Sequence, residues 1–303
     1  MTPQRLLSSV KTIPRTDEQW NSIGQIVDNA FHRWKYLEKL KQNQNSENNS
    51  NLSRKVNILV MGGSVTMGVQ CSENPIQETQ RFARRDCAWP SRINQFINAL
   101  FGYYPNDLVR IDVLTLGGTN TDTATSILGY TLMPKDTPYP DIIIDAYVTN
   151  DMHVLSAIEA QKQNITLDEM ILKVNQKFIE KVLTPKFSSN EDCYHKPPIL
   201  MDYDDYIGNE QRVILETNAF SKASQILASY YDFSLISYAD AVKDLVYGDI
   251  NETWFSSHGW PERQVHPGMS MHIVSTWLMV YNLLHLATTY CSIHSSVIIE
   301  LSP

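Results

Sequence analysis

The sequence predicts an α/β protein: a three-layer α/β/α domain around a mainly parallel five-stranded sheet, preceded by an N-terminal helical extension. Three observations carry that expectation. Short, β-branched apolar runs recur, among them Val56-Asn57-Ile58-Leu59-Val60-Met61 and Ile142-Ile143-Ile144. Runs that stay apolar instead of alternating suit strands buried on both faces of a parallel sheet. Such runs alternate with longer segments of helical periodicity, the βαβ pattern that places helices on both faces of the sheet. Finally, 303 residues with 43% hydrophobic and 19% charged side chains make a globular chain long enough for one large domain with additions.

Taken in order, Thr16 opens the first helix, with Gln19 placed for a capping box. Trp20, Ile23, Val27, Phe31, Trp34 and Leu37 follow at helical spacing and form a stripe expected to lie on the main domain. A docking helix for a partner is the less favoured reading of the same stripe. Residues 41–51, KQNQNSENNSN, are polar and low in complexity, so residues 1–54 read as extension and linker and 55–303 as the main domain. The strand at 56–61 runs into Gly62-Gly63, a pair that permits a tight turn and close backbone approach. Ser64 then falls just past the strand's carboxyl end, where open α/β sheets form their crevices, and beside the positive end of any following helix. On this segment alone, an ordinary N-cap serine is the commoner reading.

A helix follows Trp89-Pro90 through Leu100. The second strand, 109–114, ends in Gly117-Gly118, and Thr121 or Asp122 caps a helix through Leu128. The third strand, 141–146, runs into Tyr147-Val148-Thr149-Asn150-Asp151. Helical spacing returns at 166–182. The fourth strand, 197–201, ends in Asp202-Tyr203-Asp204-Asp205, and a helix with Asn209 as candidate cap covers 210–230. The fifth strand is 233–236, a helix covers 239–246, and a loop from Asn251 to Gly268 delivers His266 to a final helix at 270–290.

The formal net charge of −8 argues against a phosphate-backbone binder, and no basic run serves nucleic acid or an anionic membrane. Residues 270–290 are apolar but carry His272, Asn282 and His285, so they read as a core helix instead of a membrane span. Neither CxxC nor His-x-x-x-His occurs, and no metal or organic cofactor is implied. The N-terminus lacks the apolar core of a signal peptide. Four cysteines and sequons at Asn48, Asn51, Asn164 and Asn251 nonetheless predict a protein of the secretory pathway or cell exterior, here without its leader or anchor. Cys71 and Cys87 bracket a loop and are expected to pair; Cys193 and Cys291 form a second pair by elimination.

Four blocks carry the chemistry: Gly62-Gly63-Ser64, Leu116-Gly117-Gly118-Thr119, Val148-Thr149-Asn150-Asp151 and Val265-His266-Pro267-Gly268. In that order and at strand ends, they make the chain from Val56 to Tyr290 resemble the SGNH (GDSL-type) hydrolase superfamily. The first block stands for the family's Gly-Asp-Ser, the third for its Gly-x-Asn-Asp and the last for its Asp-x-x-His. The resemblance implies an esterase acting on carboxylic esters, with Ser64 as nucleophile and His266 as its base, His258 being the runner-up. It implies an oxyanion hole from the Ser64 N–H, the Gly118 N–H (Gly117 is the close alternative) and the Asn150 amide. A serine hydroxyl needs such a base, and a tetrahedral intermediate needs such donors.

Two positions depart from the family pattern. Gly63 replaces the aspartate of the first block, and Arg263 occupies the acid's place three residues before His266. An arginine cannot orient or stabilise an imidazolium. Glu262 is one candidate replacement, a backbone carbonyl supporting a Ser–His dyad is another, and a catalytically silent glycan-binding module is a third. An O-acyltransferase using the same serine and histidine is the rival enzyme. Trp254, Phe255 and Trp260, on the loop before His266, offer faces for sugars or acyl chains, or simply fill space beneath the loop. An esterified glycan is the preferred substrate, with its O-acetyl groups as the candidate esters.

Overall fold

The computed structural model describes residues 1–42, 54–69, 71, 84–129, 139–184, 186–187, 194–205, 211–248 and 266–300. The expectations on Asn48, Asn51, Cys193, Asn209, Asn251, Trp254, Phe255, His258, Trp260, Glu262 and Arg263 fall outside them. The strands are β1 (Val10–Thr12), β2 (Val56–Gly62), β3 (Val109–Thr115), β4 (Ile142–Ala146), β5 (Lys186–Phe187), β6 (Tyr194–His195), β7 (Ile199–Asp204) and β8 (Ser234–Ser237). The helices are α1 (Pro3–Ser8), α2 (Asp17–Gln42), α3 (Ser64–Met67), α4 (Trp89–Leu100), α5 (Thr121–Gly129), α6 (Val148–Val154), α7 (Ala157–Lys162), α8 (Leu167–Leu183), α9 (Gln211–Tyr231), α10 (Tyr238–Tyr247) and α11 (Met269–Glu300).

The main sheet has six strands in the order β1-β8-β7-β4-β2-β3, and β5 and β6 form a separate two-stranded ribbon. Every pair in the main sheet is parallel except β1 with β8. The five parallel strands are the expected ones, in flavodoxin-like order. The sixth is a correction to the expected count. β1 has three residues, too few for any periodicity to show in the sequence. It is held by its surroundings: the Ser237 N–H donates to the Ser9 carbonyl at 2.7 Å, and Arg5 pairs with Asp244 at 2.8 Å.

Two-faced burial explains why the strand sequences stay apolar. Ile58 and Val60 of β2 face a core shared with Trp89, Ile93 and Ile97 of α4 and Leu278 and Met279 of α11. Leu59 and Met61 face the other way, onto Ala124 and Leu128 of α5 and Phe178, Ile179 and Val182 of α8. Each such side chain, removed from water, contributes about 1.5–3 kcal/mol before entropy is counted. The stripe of α2 is buried only in part. Trp20, Val27 and Leu37 pack on the core, whereas Phe31 and Trp34 stay exposed with their rings stacked at 5.6 Å. Helix α8 begins with a reciprocal capping box between Thr166 and Glu169.

Cys71 and Cys87 are disulfide-bonded, closing a sequence separation of 16, and both are buried. The second expected pair is corrected: Cys291 is a free, exposed thiol on α11. Elimination pairs cysteines by parity, but an exposed helical position gave it no partner to meet. Asn164, the one described sequon, is exposed at the turn between α7 and α8, with φ at 58°. Among the described residues, no helix is long and apolar enough to cross a membrane.

Candidate active site

β2 and β4 are neighbours in the sheet, but the chain leaves β2 for β3 on one side and β4 for β7 on the other. Their carboxyl ends therefore flank the crevice at the topological switch point. Ser64 follows β2 and Asn150 follows β4, so both sit at neighbouring strand ends beside this crevice.

Gly62 and Gly63 turn the chain from β2 directly into α3, whose first residue is Ser64. The Met67 N–H donates to the Gly63 carbonyl at 3.0 Å, and Gly68 closes the turn at φ 79°. As a first-turn residue, Ser64 has a backbone N–H without an intrahelical acceptor. Its side chain is half-buried, so a small molecule can reach it. Ser64 Oγ lies 2.9 Å from His266 Nε2. His266 is buried, and Pro267 and Gly268 hold it just ahead of α11. With Nε2 unprotonated, the serine hydroxyl donates to it, the geometry a general base requires.

The Asn150 side chain rests against the Gly63 backbone. A Cβ added at Gly63 would meet its Oδ1 at 2.2 Å and its Nδ2 at 2.9 Å. Gly63 has φ −90° and ψ −151°, which any residue adopts, so closeness and not conformation calls for glycine here. The amide itself is uncommitted: Oδ1 is buried without a hydrogen-bond partner among the described residues. The glycine block lies beyond β3. Gly62 pairs with Thr115, the Leu116 N–H donates to the Gly62 carbonyl at 3.4 Å, and the exposed Gly118 turns at φ 75°. A Cβ on Gly117 would contact Met67 of α3, while one on Gly118 would meet nothing.

Buried aspartates brace these turns. Asp151 accepts from the Thr121 N–H at 3.0 Å and its hydroxyl at 2.5 Å, tying the Asn150 turn to the helix that follows the glycine loop. Burial pushes its carboxyl up to about 7, against the opposing pull of the Thr121 bonds. Asp204 accepts from the Ser221 hydroxyl at 2.7 Å, the Ser237 hydroxyl at 2.6 Å and the Tyr238 N–H, and burial again raises it to about 7. Asp145 and Asp202 face each other across β4 and β7; burial and then each other's charge raise Asp145 well above the carboxylate range. Reasoning from sequence missed Asp151, Asp204 and Asp205 as braces. Position at strand ends was the available signal, and it does not name their partners. Among the described residues, no three His, Cys, Asp or Glu side chains are grouped to hold a metal.

No family model matches the chain, and no curated protein matches it. Solved structures do. A two-domain esterase active on acetylated mannans, co-crystallised with mannopentaose, superposes with a TM-score of 0.55 at 13% identity over 93% of this chain. This chain spans 57% of that esterase's length. An α/β hydrolase enzyme from the metagenome of Lake Arreo, Spain, superposes with a TM-score of 0.51 at 12% identity, covering 76% of this chain and 96% of its own. The chain shares the fold of these two hydrolases. Within this fold, Ser64, the Gly117-Gly118 turn, Asn150 and His266 all come to the carboxyl ends of the parallel strands or the loops beside them.

Proposed function

We propose that this SGNH-fold protein is a serine hydrolase of carboxylic esters, with Ser64 as nucleophile and His266 as base. The observation that carries the reading is the 2.9 Å contact between Ser64 Oγ and His266 Nε2 at the switch point of the sheet. The fold it shares with esterases supports the same reaction class. His266 takes the hydroxyl proton as Oγ bonds to the ester carbon. Negative charge gathers on the former carbonyl oxygen, and the Ser64 N–H, the Gly118 N–H and the uncommitted Asn150 amide are its proposed donors. Collapse breaks the bond to the alcohol, which leaves with the proton from His266. Water, deprotonated by the same imidazole, then cleaves the acyl-enzyme and regenerates Ser64. Glu262 or a backbone carbonyl supports the imidazole.

O-acetyl groups on carbohydrate are the proposed substrate, supported by the acetylated-mannan esterase of the same fold. The Cys71–Cys87 bridge fits an oxidising compartment, and the exposed Asn164 fits a glycosylation acceptor. The test is labelling with a fluorophosphonate, followed by acetate release from p-nitrophenyl acetate and from acetylated mannan. Ser64→Ala and His266→Ala are expected to abolish labelling and turnover. Labelling that survives in Ser64→Ala refutes the assignment, and hydrolysis of the aryl ester without release from the glycan refutes the substrate.

A further inference from the structure

We propose that Asp205 is a positioning residue that holds the Ser64 turn and the Asn150 turn in register, and that it does so as a neutral, two-way hydrogen-bonding group. The inference rests on the roles given above to Ser64 and Asn150.

Asp205 directly follows β7 and is fully buried. Its two carboxyl oxygens reach two different strand ends. Oδ1 accepts from the Thr149 N–H at 3.1 Å, and Oδ2 lies 3.2 Å from Thr66 Oγ1. Its backbone carbonyl accepts from the Thr149 hydroxyl as well. Thr66 is two residues beyond Ser64 in the same single-turn helix, and Thr149 immediately precedes Asn150. Neither turn is secured by a capping side chain of its own. α3 has four residues, its N-cap Gly63 makes no side-chain bond, and Tyr147, the N-cap of α6, makes none either. The Thr149 N–H belongs to the first turn of α6, where amides lack intrahelical acceptors, and Asp205 supplies the acceptor from across the sheet. One residue therefore sets the spacing between nucleophile and oxyanion donor.

The hydrogen count calls for a neutral group. Thr66 has one hydroxyl hydrogen but two oxygens within reach, Asp205 Oδ2 and the Ala146 carbonyl at 3.4 Å. If Asp205 carries a proton on Oδ2 and donates it to Thr66 Oγ1, the threonine hydrogen is released to the Ala146 carbonyl and every group is satisfied. Burial raises this carboxyl well above the ordinary range, in accord with that form. An asparagine reproduces the pattern, with Oδ1 accepting from Thr149 and Nδ2 donating to Thr66.

The test first maps fluorophosphonate labelling of the wild-type protein to Ser64; absence of that label defeats the site assignment itself and, with it, this inference. Given the label, p-nitrophenyl acetate kinetics are compared for Asp205→Ala, Asp205→Asn and Thr66→Val. Because a displacement near 1 Å costs about 10²-fold, Asp205→Ala is expected to lower kcat by about 10–100-fold with KM changed less than about twofold. Asp205→Asn is expected to restore kcat to within about threefold of wild type, and Thr66→Val to fall between the two. Wild-type kcat in a folded Asp205→Ala overturns the positioning role, and an Asp205→Asn as slow as the alanine overturns the neutral form. If Asp205→Ala does not fold, Thr66→Val decides: unchanged kcat there overturns the inference.

Discussion

Replacing Gly63 by alanine separates the chemistry of this site from its stability. The new methyl would sit 2.2 Å from Asn150 Oδ1 and 2.6 Å from its Cγ, well inside ordinary contact. The three atoms nearest to it all belong to the Asn150 side chain, and the backbone at φ −90° accepts alanine without strain. Among the described residues the Asn150 side chain has no hydrogen-bond partner to hold it in place, so its amide has to retreat by about 1 Å to reach van der Waals distance. A misplacement of that size costs about 10² in rate, or about 2.7 kcal/mol in the barrier. The expected result in p-nitrophenyl acetate hydrolysis is a kcat about 100-fold lower with little change in KM, and a melting temperature within about 2 °C of wild type. Asn150→Ala removes the group that is struck, so Gly63→Ala in that background is expected to add almost nothing, giving a coupling of about 2–3 kcal/mol in the double-mutant cycle. A Gly63→Ala variant that keeps wild-type kcat, or one whose loss is undiminished in the Asn150→Ala background, refutes the placement of Asn150 as an oxyanion donor.

Three further outcomes are expected. Cys71→Ala with Cys87→Ala, which removes a bridge across a separation of 16, is expected to lower stability by about 3 kcal/mol in urea unfolding; an unchanged midpoint contradicts it. The folded protein holds the Asp202 proton up to about pH 7, whereas an unfolded chain releases it near 3.8, so stability is lost as pH rises through that window. Asp151 and Asp204 act in the same sense. His272, depressed to about 3 by burial, opposes them only below about pH 6.5. Three acids outweigh the one histidine, so the melting temperature is expected to fall between about pH 5 and 7. Asp145→Asn, by removing a buried carboxyl whose ionisation the Asp202 charge opposes, is expected to flatten that fall and raise the value at pH 8 by about 2–4 °C for each kcal/mol relieved; an unchanged slope contradicts the pairing.

What the sequence made legible follows from range. The run expected as a strand at 56–61 is β2 at Val56–Gly62, and the helix expected at 166–182 is α8 at Leu167–Leu183 with Thr166 as its cap. Both are specified by side chains within a few positions of one another. β1 was not legible, because its three residues are a strand only by virtue of Ile236 and Leu235 of β8, more than 200 positions away. Nor was the exposure of Phe31 and Trp34: their spacing matches the buried stripe of α2, and only the position of α11 decides where that stripe ends. Ser64, Asn150 and His266 could be picked out because each closes a local block, yet their meeting depends on sheet order. Asp205 was invisible as a brace for the same reason, since its partner Thr66 is 139 positions distant.

The density of acid at this crevice raises a physical difficulty that burial resolves. Asp145, Asp151, Asp202, Asp204 and Asp205 are all buried at the carboxyl ends of the central strands, on the side of the sheet where the proposed reaction gathers negative charge. Ionised, they would oppose an oxyanion more strongly than a few N–H donors could favour it. Burial raises every one of them, Asp151, Asp202 and Asp204 to about 7, so that around neutrality a good part of this charge is withheld and the protonated acids serve as hydrogen-bonding groups. The exchange of aspartate for Gly63 works in the same direction. It removes a carboxylate from the residue next to Ser64 and opens the space in which the Asn150 amide lies against the backbone. Bracing then falls to carboxyls that approach from the flanks, Asp151 through Thr121 and Asp205 through Thr66 and Thr149. On this account, the departure at position 63 and the unannounced aspartates at the strand ends belong to one arrangement: a site braced by acids whose charge burial holds back.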